Sequence, residues 1–358
     1  MEKTVIPSQN GNGSAVFPIY EDIEFGAVKI DASEEEFAES GAEFGDSLNV
    51  YFSNGFILED IPFYDGFYER VDQIVVAIYP NAGISVAFCF GGRMWETAGC
   101  APGDTVSITV REKGKYLDRQ NILSTVYVDD RDAFDSDETF ANFYAMAGGK
   151  LRKNTFFRGT SPFDDLHRRD AAADFLLKKS GIRFLLDLAD NEKKLNSYME
   201  KANVSSKYAA SLYAEGKIVP LGLDSGYRRD GFKTRLVRGL LAMMEHEGPY
   251  YIHCTEGKDR TGFVCLLLAA LADASYEEIE AGYMKSYANY YGITAESDRA
   301  RYDALKELRI HDALWWMAGL PDNTDLAGKH FKKDAENYLR SAGMTDTQIG
   351  KLERFLTK

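Results

Sequence analysis

No apolar run in this chain approaches the ~20 residues that cross a bilayer as a helix, and the first residues do not read as an export signal. An integral membrane segment is therefore not expected. Residues 1–18, which contain a stretch rich in Gly, Asn and Ser, read as a flexible lead-in. A lead-in of that kind also suits a chain whose signal has been removed, so cytoplasmic and secreted locations both stay open. Cysteine is scarce as well. Cys89, Cys100, Cys254 and Cys265 are the four present, and their spacing matches no zinc site. No metal or other cofactor is expected. Cys89 and Cys100 could meet across a hairpin, but two buried free thiols are the favoured state, and Cys265 reads as core. Positive charge is short in the front part only: residues 1–150 hold 10 Lys and Arg against 26 Asp and Glu, whereas the remainder holds 32 against 30. That balance excludes nucleic acid as a partner for the front part, and the near-neutral remainder suits an anionic substrate better.

What is present reads as ordinary globular protein, 45% hydrophobic and 27% charged over 358 residues, long enough for two or three domains. Residues 19–123 carry short strand patterns: Leu48–Phe52, Phe56–Leu58, Ile74–Tyr79, Ile84–Phe90 and the alternating Thr105–Val110, separated by Gly, Pro and Asn turns. They predict a small β-rich barrel or sandwich domain whose role is not legible. The run Glu34–Glu36 reads as a solvated face. Residues 124–149 read as a connector, with Phe140, Phe143 and Tyr144 anchoring a short helix. Residues 150–358 read as an α/β domain, a mostly parallel central sheet flanked by helices. Its strands are expected at Gly181–Leu188, Lys217–Leu223 and Pro249–Ile252. Met284, Tyr287 and Tyr291 share one helical face and read as core.

The chain is organised around Tyr250–Gly262. An apolar strand runs from Pro249 to Ile252, an apolar helix with no breaker after Gly262 begins at Thr261, and between them lies a short loop from Cys254 to Arg260. Strand, tight loop and helix start is the geometry in which backbone N–H groups converge on an anion. Those dipoles favour the ionised form of Cys254, which makes it a nucleophile. Arg260 offers a planar fork for two phosphate oxygens. Gly257 permits a turn close to the phosphate, Thr261 can donate a hydrogen bond to the cysteine sulfur, and His253 can brace the loop.

The string His-Cys-Thr-Glu-Gly-Lys-Asp-Arg-Thr-Gly, residues 253–262, resembles the signature of cysteine-dependent protein tyrosine phosphatases, most closely a bacterial family whose loop reads His-Cys-x-x-Gly-Lys-Asp-Arg-Thr-Gly and which is related to dual-specificity and lipid phosphatases. The likeness extends from about Leu151 to Lys358 and includes Arg158 to Ser161. Where the family often continues its Val-Ile-Asp-Leu strand with an arginine, this chain has Ala189. The resemblance implies a tyrosine phosphatase-like fold and hydrolysis of phosphotyrosine, with tolerance for other phosphomonoesters, through a phosphocysteine. Cys254 and Arg260 are the catalytic residues it implies. Thr255, Glu256, Gly257, Lys258, Asp259 and Thr261 line the phosphate, and His253 supports them. A carboxylic acid must protonate the leaving oxygen: Asp224 is the first choice, with Asp230 and Asp259 as rivals. Lys258 puts a cation on the loop rim, which would suit a phosphoinositide or inositol polyphosphate; Glu256 and Asp259 offset it. A phosphorylated protein and a phosphoinositide or inositol phosphate are thus the candidate substrates, and a binding module with little turnover is the third reading.

Overall fold

The computed structural model describes residues 15–79, 83–200 and 206–358; most of the expected lead-in and the turn at 80–82 lie outside them. The chain divides into two compact units, Met1–Ser124 and Thr125–Lys358.

The first unit is a closed seven-stranded barrel in the order β1-β2-β6-β5-β4-β3-β7. Its strands are β1 (Ala15–Glu21), β2 (Val28–Ile30), β3 (Ser47–Phe52), β4 (Ile57–Tyr64), β5 (Ile74–Tyr79), β6 (Gly83–Phe88) and β7 (Thr105–Glu112). Period-two alternation points Leu48, Val50 and Phe52 of β3 and Val106 and Ile108 of β7 into one core. β5 has no polar alternation because both of its faces are covered. Val76 and Ile78 enter the barrel core, while Val75 and Ala77 pack with Tyr64 and Cys89 under Phe67, Tyr68, Phe90 and Tyr116. β1 corrects the expected start of this domain: Ala15 to Pro18, assigned above to the lead-in, pair with β7, and Phe17 and Ile19 are buried. Closure removes the exposed edges that an open sheet would leave at β1 and β7. The Glu34–Glu36 run forms the first turn of helix α1 (Glu34–Ala38), capped by Ser33 and Glu36 in a reciprocal box. Helices α2 (Met94–Thr97) and α3 (Leu117–Leu123) complete the unit. All four cysteines of the chain are free thiols.

The second unit takes in the stretch read as a connector. Helix α4 (Asp137–Phe140) and strand β8 (Tyr144–Ala145) lie there, and Phe140 and Phe143 are buried. β8 adds an antiparallel edge to an otherwise parallel sheet, ordered β11-β10-β12-β9-β8. The other strands are β9 (Phe156–Gly159), β10 (Phe184–Asp187), β11 (Ile218–Pro220) and β12 (Tyr250–His253). Helices α5 (Asp170–Lys179), α6 (Glu192–Met199), α7 (Lys207–Ala214) and α8 (Asp230–Met244) fall between these strands. Then follow α9 (Asp259–Leu271), α10 (Tyr276–Tyr291), α11 (Arg299–Lys306), α12 (Asp312–Ala318), α13 (Lys332–Ser341) and α14 (Asp346–Thr357). α9 is buried on every side from Thr261 to Leu271, which is why its sequence shows no polar face. β12 lies in mid-sheet between β10 and β9, so its carboxyl end holds a loop backed by neighbours on both sides.

α8 approaches the sheet closely at Gly239, where a Cβ would lie 2.8 Å from Leu186 Cδ1. Leu186 is fully buried. Leu186→Ala should lower the stability of the second unit by about 3 kcal/mol, measured by equilibrium chemical denaturation.

Candidate active site

The loop between β12 and α9 is shaped by what its carbonyls are tied to. The Cys254 carbonyl lies 3.3 Å from His253 Nδ1. That of Thr255 accepts from the Ser161 amide at 2.9 Å and from Thr160 Oγ1 at 2.8 Å. Asn142 Nδ2 donates to Glu256 O at 3.2 Å, and Arg158 Nη2 donates to Gly257 O at 2.9 Å. The Lys258 carbonyl accepts from the Gly262 amide at 2.7 Å inside the first turn of α9. A trans peptide sets its C=O and N–H on opposite sides. Pinning these carbonyls to the surrounding scaffold therefore turns the following N–H groups to the concave side, the arrangement that binds an oxyanion. Gly257 sits at φ +71°, and a Cβ there would lie 2.0 Å from Gly159 O, so this turn requires glycine.

Arg158 and Asn142 were not among the expected site residues. Arg158 is 2% exposed and stacks its guanidinium 5.2 Å from the Tyr144 ring. Its only advance signal is its place in the Arg158–Ser161 segment. Asn142, fully buried, carries no sequence signal of its own.

Cys254 is 3% exposed at the start of the loop. Arg260, in the first turn of α9, spans two loops: Nη1 donates to Leu223 O at 3.0 Å and Nη2 to Thr255 Oγ1 at 3.1 Å. The residue after Leu223 is Asp224. Its carboxylate accepts from the Gly226 amide at 2.9 Å and lies 3.8 Å from Arg235 Nη2. The loop that carries it is pinned along its length. Tyr227 stacks on Phe263 of α9 at 4.0 Å, its carbonyl accepts from Tyr338 Oη at 2.7 Å, and Arg228 pairs with Asp312 at 2.6 Å. The other two candidate acids sit differently. Asp230 is exposed in the first turn of α8, and Asp259 turns towards Tyr287 Oη at 3.4 Å and Arg309 Nε at 3.7 Å. Thr261 is fully buried and its hydroxyl has no hydrogen-bond partner among the described residues.

Glu256 and Lys258, expected to line the phosphate, pair instead with each other at 2.8 Å. Lys258 is 7% exposed rather than on the rim. Its ammonium donates to Tyr291 Oη at 2.8 Å and lies over the rings of Tyr127, Tyr287, Tyr290 and Tyr291. Glu256 accepts from Tyr127 Oη at 2.6 Å, with His167 Nε2 3.6 Å away. Burial opposes the charge on Glu256, but the Lys258 ammonium and the His167 and Tyr127 donors outweigh it and hold the carboxyl well below its usual range. Burial opposes the charge on Lys258 too, and Glu256 again wins.

Beneath the loop, His253 is fully buried with Nδ1 3.9 Å from Asp187. Burial depresses the imidazole to about 4, so it stands neutral at pH 7. Asp187, at the end of β10, receives the amides of Ala189 and Asp190. Burial and then the adjacent Asp190 carboxylate raise Asp187 well above the usual carboxylate range.

A cysteine held at the mouth of an amide-lined loop, with a guanidinium across it, defines a cysteine-dependent phosphatase. The chain belongs to the tyrosine phosphatase family: the model of that family matches residues 140–358. Among solved structures, TpbA of P. aeruginosa is 18% identical, with a TM-score of 0.25, 61% of this chain covered and 92% of that one. The core catalytic domain of the PP-IP phosphatase SIW14 from S. cerevisiae, in complex with citrate, is 15% identical, with a TM-score of 0.28 and coverages of 50% and 91%. A Cys-to-Ser form of TpbA in complex with pTyr is 17% identical, with a TM-score of 0.26 and coverages of 61% and 91%. No curated protein sequence matches the chain. Among the described residues no helix is long and apolar enough to cross a membrane.

Gly257→Ala should reduce kcat/KM by about a hundredfold or more, because the loop must open to admit the Cβ and one oxyanion donor is lost; steady-state kinetics on p-nitrophenyl phosphate measure this. His253 makes stability depend on pH. Its folded value, about 4, lies below its ordinary 6.5, so the unfolded chain binds the extra proton first. Stability is full above pH 6.5 and is lost as pH falls towards 4, by about 3 kcal/mol from this group. The unfolding midpoint should therefore drop more steeply over that window in the wild type than in His253→Asn.

Proposed function

We propose that the chain hydrolyses phosphotyrosine, with tolerance for other phosphomonoesters that carry a single phosphate, through a phosphocysteine. The observation that carries this reading is the geometry of Arg260, whose fork joins the amide-lined loop at Thr255 to the loop of Asp224 at Leu223. A phosphoryl group seated over Cys254 would meet the loop amides and the guanidinium, with the loop of Asp224 held beside them.

In the first step the Cys254 thiolate attacks phosphorus and the P–O bond to the leaving group breaks. The electron pair departs with that oxygen, which takes its proton from the Asp224 carboxyl group. The amides and Arg260 hold the charge on the equatorial oxygens. In the second step water attacks phosphorus and gives a proton to the Asp224 carboxylate. The P–S bond breaks, releasing inorganic phosphate and restoring the thiolate. Asp224 is favoured over its rivals because it directly follows Leu223, whose carbonyl Arg260 holds, whereas Asp230 is exposed in the first turn of α8. The contacts that hold its loop support this role, since a held loop lowers the entropic cost of positioning an acid.

Cys254→Ser should abolish turnover of a phosphotyrosine peptide; full activity would overturn the mechanism, and binding without turnover in the wild type would make the chain a phospho-ligand module. Asp224→Asn should lower kcat on the peptide by about 10²–10⁴-fold. The loss should be smaller on p-nitrophenyl phosphate, whose leaving group needs less help from an acid. If Asp259→Asn shows that pattern instead, the acid is Asp259.

A further inference from the structure

Tyr127 lies outside residues 140–358, the part of the chain that matches the family model, and nothing in its local sequence marks it. Its hydroxyl nevertheless donates to Glu256, 129 positions away, at 2.6 Å. Its ring stacks on His167 at 4.2 Å and 16°, while His167 Nδ1 lies 3.0 Å from Asp129. The ring edge meets Tyr291 at 5.4 Å and Tyr290 at 6.3 Å. The segment immediately after the barrel unit is therefore stitched to the phosphate loop of the second unit.

These contacts converge on one ion pair. Lys258 stands four residues after Cys254, where a solvent-facing ammonium could reach a second phosphate on the substrate. It is instead 7% exposed and neutralised by Glu256 at 2.8 Å. Its ammonium lies 5.5 Å from the Tyr127 ring and 5.1 Å from that of Tyr291. Glu256 is the counter-ion that makes this burial tolerable, because a buried ammonium without one is driven back to water. Tyr127 in turn adds a hydrogen bond to the Glu256 carboxylate, beside the contributions of Lys258 and His167 that hold it charged inside the fold.

We propose that Tyr127 is a positioning residue of the phosphatase site, and that the cage it closes around Glu256 and Lys258 withholds the loop lysine from substrate, setting the site for single phosphates against polyphosphates. The inference rests on the phosphatase reading and adds a specificity determinant to it. It also makes residues 125–130 part of the working catalytic unit.

The test uses the full chain and two inhibitors of p-nitrophenyl phosphate turnover: inositol hexakisphosphate, which offers clustered phosphates, and inorganic phosphate, which offers one. The readout is the ratio of their Ki values, from which general damage to the loop cancels. In Glu256→Gln, inositol hexakisphosphate should gain about fivefold or more over inorganic phosphate, as a freed ammonium engages a second phosphate. Tyr127→Phe, which keeps the ring and its stack, should shift the ratio the same way by a smaller factor. Adding Lys258→Met to either should return the ratio to the wild-type value. A ratio unchanged in both single variants, or a gain that survives Lys258→Met, would overturn the proposal; Tyr127→Phe decides the matter if Glu256→Gln does not fold. Wild-type turnover of p-nitrophenyl phosphate checks the underlying phosphatase reading separately, so the two can fail independently.

Discussion

The phosphate loop works only if its carbonyls face away from the anion, and that constraint governs the second unit. Five consecutive carbonyls, Cys254 to Lys258, are engaged by His253, Thr160, Ser161, Asn142, Arg158 and the first turn of α9. Neutral donors would serve for most of these bonds. A fully buried arginine at Gly257 does something further, because it places a positive charge directly behind the loop. Its cost in desolvation is offset in part by carbonyls and Ser286 Oγ at Nη2 and by the face of Tyr144, while Nε has no hydrogen-bond partner among the described residues.

The second consequence concerns the two loops that Arg260 joins. A guanidinium that holds Leu223 O and Thr255 Oγ1 ties the loop of Cys254 to the loop of Asp224. Tyr227, Arg228 and Arg235 then tie the latter to α9, α12 and its own helix. Arg228 of this loop and Arg235 of α8 are structural fasteners here. Rigid placement of this kind lowers the entropic cost of reaching a reactive geometry.

Much of the fold was legible because it rests on local chemistry. Period-two alternation marked the barrel strands, and an apolar helix without a polar face marked α9. Strand, glycine-turned loop and helix marked the turn from β12 into α9 that carries Cys254 and Arg260. The errors have physical causes. β1 was missed from Ala15 to Pro18 because its short apolar pattern adjoins a stretch of turn-forming residues, and only pairing with β7 makes it a strand. The stretch 125–149 looked like a connector because its acidic residues are exposed, while a few aromatic side chains carry its attachment to the core.

The string at residues 253–262 was enough to point to the family, and the strand and helix patterns spread over 150–358 to the parallel α/β architecture. The direction in which a charge points was not encoded there. Lys258 and Glu256 carry the same formal charges whether they line a phosphate or neutralise each other. Only the tertiary structure, by bringing Tyr127, His167 and Tyr291 against them, buried the pair and left Arg260 as the loop's guanidinium joined to the loop of Asp224. Long-range packing sets which neighbour a buried charge finds, and a buried charge goes to its counter-ion.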